Sequence, residues 1–181
     1  IDTPTSVPTA TPIPTPSPTP LPTATATPPP NCPGSQAGCM QAMLNLINTT
    51  RSTNGVAPLT LSETQSTGTS SCAGSYGHST AMAASGSIWH QNASYPTASF
   101  PNNICVASPP FGENVGQFSS GNELTDLQGI HNLMMGEAHD KATCSSFINH
   151  ACNILNASYG AVGIGIYYDG RTTWLTEDFL G

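Results

Sequence analysis

The stretch AVGIGIYYDGRTTWLTEDF, residues 161–179, decides the reading of the fold. AVGIGIYY and RTTWLT are rich in β-branched and aromatic residues, and Asp169-Gly170 between them has the signature of a two-residue type I′ turn. A C-terminal β-hairpin is predicted. Upstream, CMQAMLNLINTTRSTNG (39–55) sets Met40, Met43, Leu44 and Ile47 at i, i+3, i+4, i+7, with Asn54-Gly55 as a stop, which predicts an amphipathic helix. Ser62 and Gln65 have the spacing of a capping box and predict a second, small-residue helix reaching about Ser85, against the resistance of Gly68, Gly74 and Gly77. Residues 92–121 are rich in proline, glycine and asparagine and read as loop, with ICVA at 104–107 a candidate short strand. Thr125 and Gln128 repeat the capping-box spacing, and Leu127, Ile130 and Met134 form the stripe of a third helix ending near His139. Helices followed by an antiparallel hairpin, without βαβ alternation, predict an α+β domain.

The other end of the chain has a different composition. Residues 1–31 alternate proline with threonine, as in PIPTPSPTPLPTATATPPP (12–30), and proline at every second position excludes helix and central strand. Polyproline II is left. With no glycine between Ile1 and Pro33, such an arm is a semi-rigid spacer; about 30 residues at roughly 3.1 Å each reach on the order of 90 Å. The chain thus divides into an arm, 1–31, and one domain, 32–181, large enough for a core of its own.

Charged residues make up only 7% of the 181, and the net charge is −7, with Arg51, Lys141 and Arg171 as the strong cations. Three cations cannot build a phosphate-binding surface, so nucleic acid is excluded as a partner. No apolar run approaches the roughly 20 residues of a membrane span, and the start at isoleucine leads us to expect that a signal segment has been removed. Hydroxyl and amide side chains replace charge. Thr15, Ser17, Thr19, Thr23 and Thr25 among prolines read as a mucin-like O-glycosylated stalk, and Asn48, Asn92 and Asn156 head N-glycosylation sequons. Cys32, Cys39, Cys72, Cys105, Cys144 and Cys152 include no CxxC pair and indicate disulfides in an oxidising compartment. Six cysteines allow 15 pairings. Sequence does not choose among them; the pairing we carry forward is 32–39, 72–105 and 144–152.

GxSxG, HExxH and Walker motifs are missing, and no serine, threonine or cysteine stands out as an activated nucleophile. The informative residues are polar groups in apolar or glycine-rich company: His90 after Ile88-Trp89, Glu113 in FGENVG, Glu137 three helical turns beyond Leu127, and His150 in FINHACNIL. Two imidazoles and two carboxylates can satisfy one another as a structural network, or together hold a divalent cation, zinc being the best match to such donors.

In order, HQN (90–92), FGENVG (111–116), the segment before Glu137, NHACNILNASYGAVGIGIYY (149–168) and TTWLTEDF (172–179) resemble the CAP superfamily of cysteine-rich secretory, antigen 5 and pathogenesis-related class 1 proteins. The resemblance spans about residues 40–181 and is strongest to the bacterial branch, with its histidine before a GEN loop, HRxNIL segment, VGVG strand and closing WTQxF strand. It implies an α-β-α sandwich in which His90, Glu113, Glu137 and His150 form a cleft tetrad. Met134 stands where the family often has tryptophan, and Ala151 and Cys152 depart from HRxNIL. His78, in YGHSTAMAASG, is similar to a second family histidine and reads as structural; His131 and His139 carry no motif.

The function expected is a secreted or cell-surface glycoprotein, a structural subunit of a filament or surface layer assembled from copies of itself through the arm. The alternative is an extracellular binding module whose cleft holds a cation or whose groove holds a lipid or peptide. A metal-assisted hydrolase ranks behind both, and the expectation leans away from an enzyme.

Overall fold

The computed structural model describes residues 36–70, 72–90, 111–137, 144 and 149–181. The arm, the proposed strand at 104–107, Asn92 and His139 lie outside the described residues. The predicted hairpin is present: β3 (Ala161–Tyr168) and β4 (Thr173–Leu180) pair antiparallel. Its turn is centred one residue later than Asp169-Gly170: Tyr168 opposes Thr173 and the Asp169 amide donates to the Thr172 carbonyl at 3.1 Å, which leaves Gly170-Arg171 at the tip. Asp169 Oδ1 accepts from the Arg171 and Thr172 amides at 2.9 and 2.7 Å, so the aspartate side chain sets the loop.

Two more strands complete a four-stranded sheet of order β1-β3-β4-β2. The short β1 (Thr60–Leu61) runs parallel to β3, and β2 (Phe111–Phe118) runs antiparallel to β4 along its full length. FGENVG, expected as loop, is therefore the start of an edge strand. Its glycines hid the strand pattern, and they are needed: a Cβ at Gly112 would meet Tyr159 and Asn153, and one at Gly116 would meet Ile130.

Helices cover both faces. Beneath one lie α1 (Gln36–Thr53), α4 (Glu123–Met135) and α5 (His150–Leu155), packed with Val162, Ile164, Ile166, Leu175 and Phe179. Across the other lie α2 (Glu63–Thr67) and α3 (Ser75–Ser85). The single second helix predicted from Ser62 is thus two. Ser62 caps the first as expected, accepting from Gln65 N at 3.3 Å. The helix stops at Gly68, whose φ of 85° favours glycine, and a Cβ on Gly68 or Gly74 would collide with the other's backbone. The glycines of VGIG have a related role: a Cβ at Gly165 would overlap the Ser75 backbone, so α3 lies directly on the sheet. In α4 the cap is Asn122, which accepts from Thr125 N at 3.0 Å, three residues before the predicted start.

Arg51, at the end of α1, is fully buried and donates to the carbonyls of Ala57, Ile154, Asn156 and Tyr159 at 2.6–3.2 Å. One guanidinium joins α1, the segment after it, the end of α5 and the approach to β3. The predicted Cys144–Cys152 disulfide is formed and ties α5 to the preceding segment. Cys39 and Cys72 are also disulfide-bonded; Cys32 and Cys105, the partners expected for them, lie outside the described residues.

Candidate functional site

Among the described residues β2 is an edge strand of the sheet, and the two helical layers meet beside it. From the α3 layer, Gly86 ends the helix in the left-handed region (φ 67°), and the chain continues through buried Trp89 to half-exposed His90. His90 Nδ1 lies 2.9 Å from Glu113 Oε1 on β2. From the opposite layer, α5 starts at His150 under the cap of Asn149, which accepts from Cys152 N at 2.7 Å. His150 Nδ1 lies 2.6 Å from Glu137 Oε1, and its amide donates to Glu137 Oε2 at 2.8 Å. Glu137 is not on the apolar stripe of a helix. It follows Gly136, just past the end of α4, where an amide-capped carboxylate is easily accommodated.

The four residues predicted as a tetrad are therefore brought together as two His–Glu pairs, one from each layer. The rings of His90 and His150 stack with centroids 6.0 Å apart and planes 26° apart. In each ring a carboxylate faces Nδ1, which fixes the proton there and presents Nε2 as the electron-pair donor. The carboxylate contact of Glu113 raises the pKa of His90 above the ordinary imidazole value, against burial, which lowers it. Burial pushes Glu137 upward, but hydrogen bonds from the His150 ring and the His150 and Ala151 amides outweigh it, and its pKa falls below the usual carboxylate range.

His78, expected as a structural residue, belongs to the same network. Fully buried on α3, it places Nε2 3.0 Å from the Trp89 carbonyl and Nδ1 3.1 Å from Glu113 Oε2, the latter as an ion-pair contact off hydrogen-bond alignment. Glu113 thus lies between two imidazoles. The signal available in the sequence was position: His78 and His90 are separated by the last turns of one helix and its exit. Asn114 and Asn153 lock α5 to β2, since Asn153 Nδ2 donates to Asn114 Oδ1 at 2.9 Å and Asn114 Nδ2 to the His150 carbonyl at 3.2 Å. The asparagines of the GEN and NIL segments, Asn114 and Asn153, therefore fix α5 against β2 and with it the spacing of the two pairs.

Of the remaining predicted positions, Asn48 has its amide bound to both backbone groups of Leu59, at 2.8 and 3.0 Å, so a glycan there would displace both bonds. Asn156 sits in a turn, accepting from Ser158 N at 2.9 Å. His131 is buried, with Nε2 2.7 Å from Thr50 Oγ1.

No family model and no curated protein matches the chain. Among solved structures, it is similar to an extracellular protein containing an SCP domain from Bacillus anthracis str. Ames, with a TM-score of 0.53 and 22% identity. The match covers 80% of this chain and 40% of that one, so the chain spans less than half the length of its neighbour. The chain has an SCP-type fold. That agrees with the α-β-α arrangement expected from the CAP resemblance, SCP being the domain of that superfamily.

The donors suit a metal in kind: two imidazoles, each with a carboxylate on Nδ1. Among the described residues no group of three or more His, Cys, Asp or Glu is placed to hold a metal ion together.

Proposed function

We propose that this is an extracellular member of the CAP superfamily whose SCP-type domain is a binding module, with a divalent cation, zinc by donor type, held between His90 and His150 and oriented through Glu113 and Glu137. The observation that carries this is the matched pair of carboxylate-held imidazoles on either side of the β2 edge. Extracellular placement is supported by the disulfides and the scarcity of charge. Among the described residues no helix is long and apolar enough to cross a membrane. Titration calorimetry of the full chain with zinc is expected to show one site per chain, weakened at least tenfold by His90→Ala and by His150→Ala. Absence of binding to the parent chain, or equal affinity in both variants, would end this reading.

The second reading is self-association through the Pro/Thr arm, with the arm's hydroxyls and Asn156 as glycan acceptors. Its support is the arm's stiffness and length in sequence. The two readings are compatible, because the cleft and the arm occupy separate parts of the chain.

A further inference from the structure

Far from the histidine cleft, α1 and α4 leave an apolar groove between them of about 540 Å³. Ala42 and Leu46 of α1, Phe118 at the end of β2, and Leu124 of α4 form its floor, and Gln128 and Asn132 stand exposed on its rim. Gly129 shapes it. A Cβ there would lie 3.1–3.2 Å from the Phe118 ring, so the glycine lets the ring lie flat against α4 instead of filling the groove. Glycine inside a helix costs about 1 kcal/mol relative to alanine, which this contact offsets only in part.

The sequence of the arm supplies a matching surface. Polyproline II repeats every three residues, so residues 1, 4, 7, 10, 13 and 16 fall on one edge. In this chain they are Ile1, Pro4, Val7, Ala10, Ile13 and Pro16, all apolar. The two neighbouring edges over the same span carry Asp2, Thr5, Pro8, Thr11 and Pro14, and Thr3, Ser6, Thr9, Pro12 and Thr15. Over residues 1–16 an arm in that conformation has one edge without a hydroxyl, while its threonines and serine share the other two with Pro8, Pro12 and Pro14, so glycans there would not obstruct the first edge. A polyproline II segment has no internal hydrogen bonds, so its carbonyls are free to accept from rim amides such as those of Gln128 and Asn132.

Reach decides which chain supplies the edge. Pro16 is 20 residues before the start of α1 at Gln36, about 60 Å of polyproline II, whereas a domain of this size is roughly 40 Å across. A hinge at Gly34 would turn a stiff arm as one piece and still carry Ile1–Pro16 past the chain's own groove. We propose that the α1–α4 groove receives the Ile1–Pro16 edge of the arm of a second copy, so that arm and groove form a head-to-tail contact between chains.

This proposal rests on the self-association reading and is independent of the cation site. Sedimentation of the full chain is expected to show concentration-dependent association. Val7→Asp with Ile13→Asp should raise the dissociation constant at least tenfold, and Thr5→Asp with Thr11→Asp, carrying the same added charge on other edges, should change it less than threefold. Ala42→Glu should reproduce the first effect with an unchanged melting temperature. The docking edge has no hydroxyl, so unglycosylated full chain is a fair sample. Association that survives Val7→Asp/Ile13→Asp and Ala42→Glu overturns groove docking while leaving self-association in place; a parent chain that is monomeric throughout, or one with a lipid occupying the groove by mass spectrometry, overturns both or the occupant named here, respectively.

Discussion

Glu177 and Asp178 are neighbours on β4, both fully buried, and point to opposite faces of the sheet. Glu177 accepts from Asn114 Nδ2 at 2.9 Å; Asp178 accepts from Ser75 Oγ at 2.6 Å and Gln65 Nε2 at 3.1 Å. Burial pushes both carboxyls up to about 7; the negative charge of Asp178 adds to the effect on Glu177, and that of Glu113 adds to the effect on Asp178. Each holds its proton to higher pH in the folded chain than in the unfolded one. Their contribution to stability is therefore intact below the ordinary carboxylate range near pH 4 and is lost as pH rises through about 7. Glu177→Gln keeps an acceptor for Asn114 and removes the ionisation. It should raise the melting temperature by about 5 °C at pH 8 and by almost nothing at pH 4; equal shifts at both values would refute the assignment. Nothing in WLTEDF announces these burials, because a Thr-Glu-Asp run reads as the solvated end of a strand. Only coverage of both faces makes almost every residue of β4 buried.

At the scale of elements, α1 and the β3–β4 hairpin were legible because each has a period that can be seen locally. β2 was not. Its glycines and its Glu-Asn pair defeat the alternation test, and each is explained only by a partner distant in sequence, such as Ile130 against Gly116 or His90 against Glu113. The candidate site was legible in its four predicted members, through polar residues in apolar company and a family resemblance, but not in His78, whose partner lies on another element. Two substitutions test how the layers are fastened. Gly165→Ala pushes a methyl into the α3 backbone, which cannot yield as a flexible side chain would, and should cost about 3 kcal/mol or more in denaturant unfolding. Arg51→Met leaves four carbonyls from three segments without their shared donor and should cost at least about 3 kcal/mol. Arg51→Lys should recover only part of that loss, since an ammonium cannot reproduce the planar fork. Full recovery by lysine would show that charge, not geometry, is what the site requires.

For the whole molecule, the sheet separates two layers, and its β2 edge is where they bring the two His–Glu pairs together. Asn114, Asn153 and the Cys144–Cys152 disulfide hold α5 on one side, while Trp89 anchors the exit of α3 on the other. Any movement of one layer against the other changes the His90–His150 separation, so cation binding should fasten the layers. Saturating zinc should raise the melting temperature of the parent chain and leave that of His150→Ala unchanged. The most direct test is anomalous diffraction at the zinc edge from crystals of the full chain grown with zinc. One strong peak is expected between the Nε2 atoms of His90 and His150, with Glu113 and Glu137 still on Nδ1. A structure with that cleft free of anomalous density, or with zinc bound only elsewhere, would contradict it.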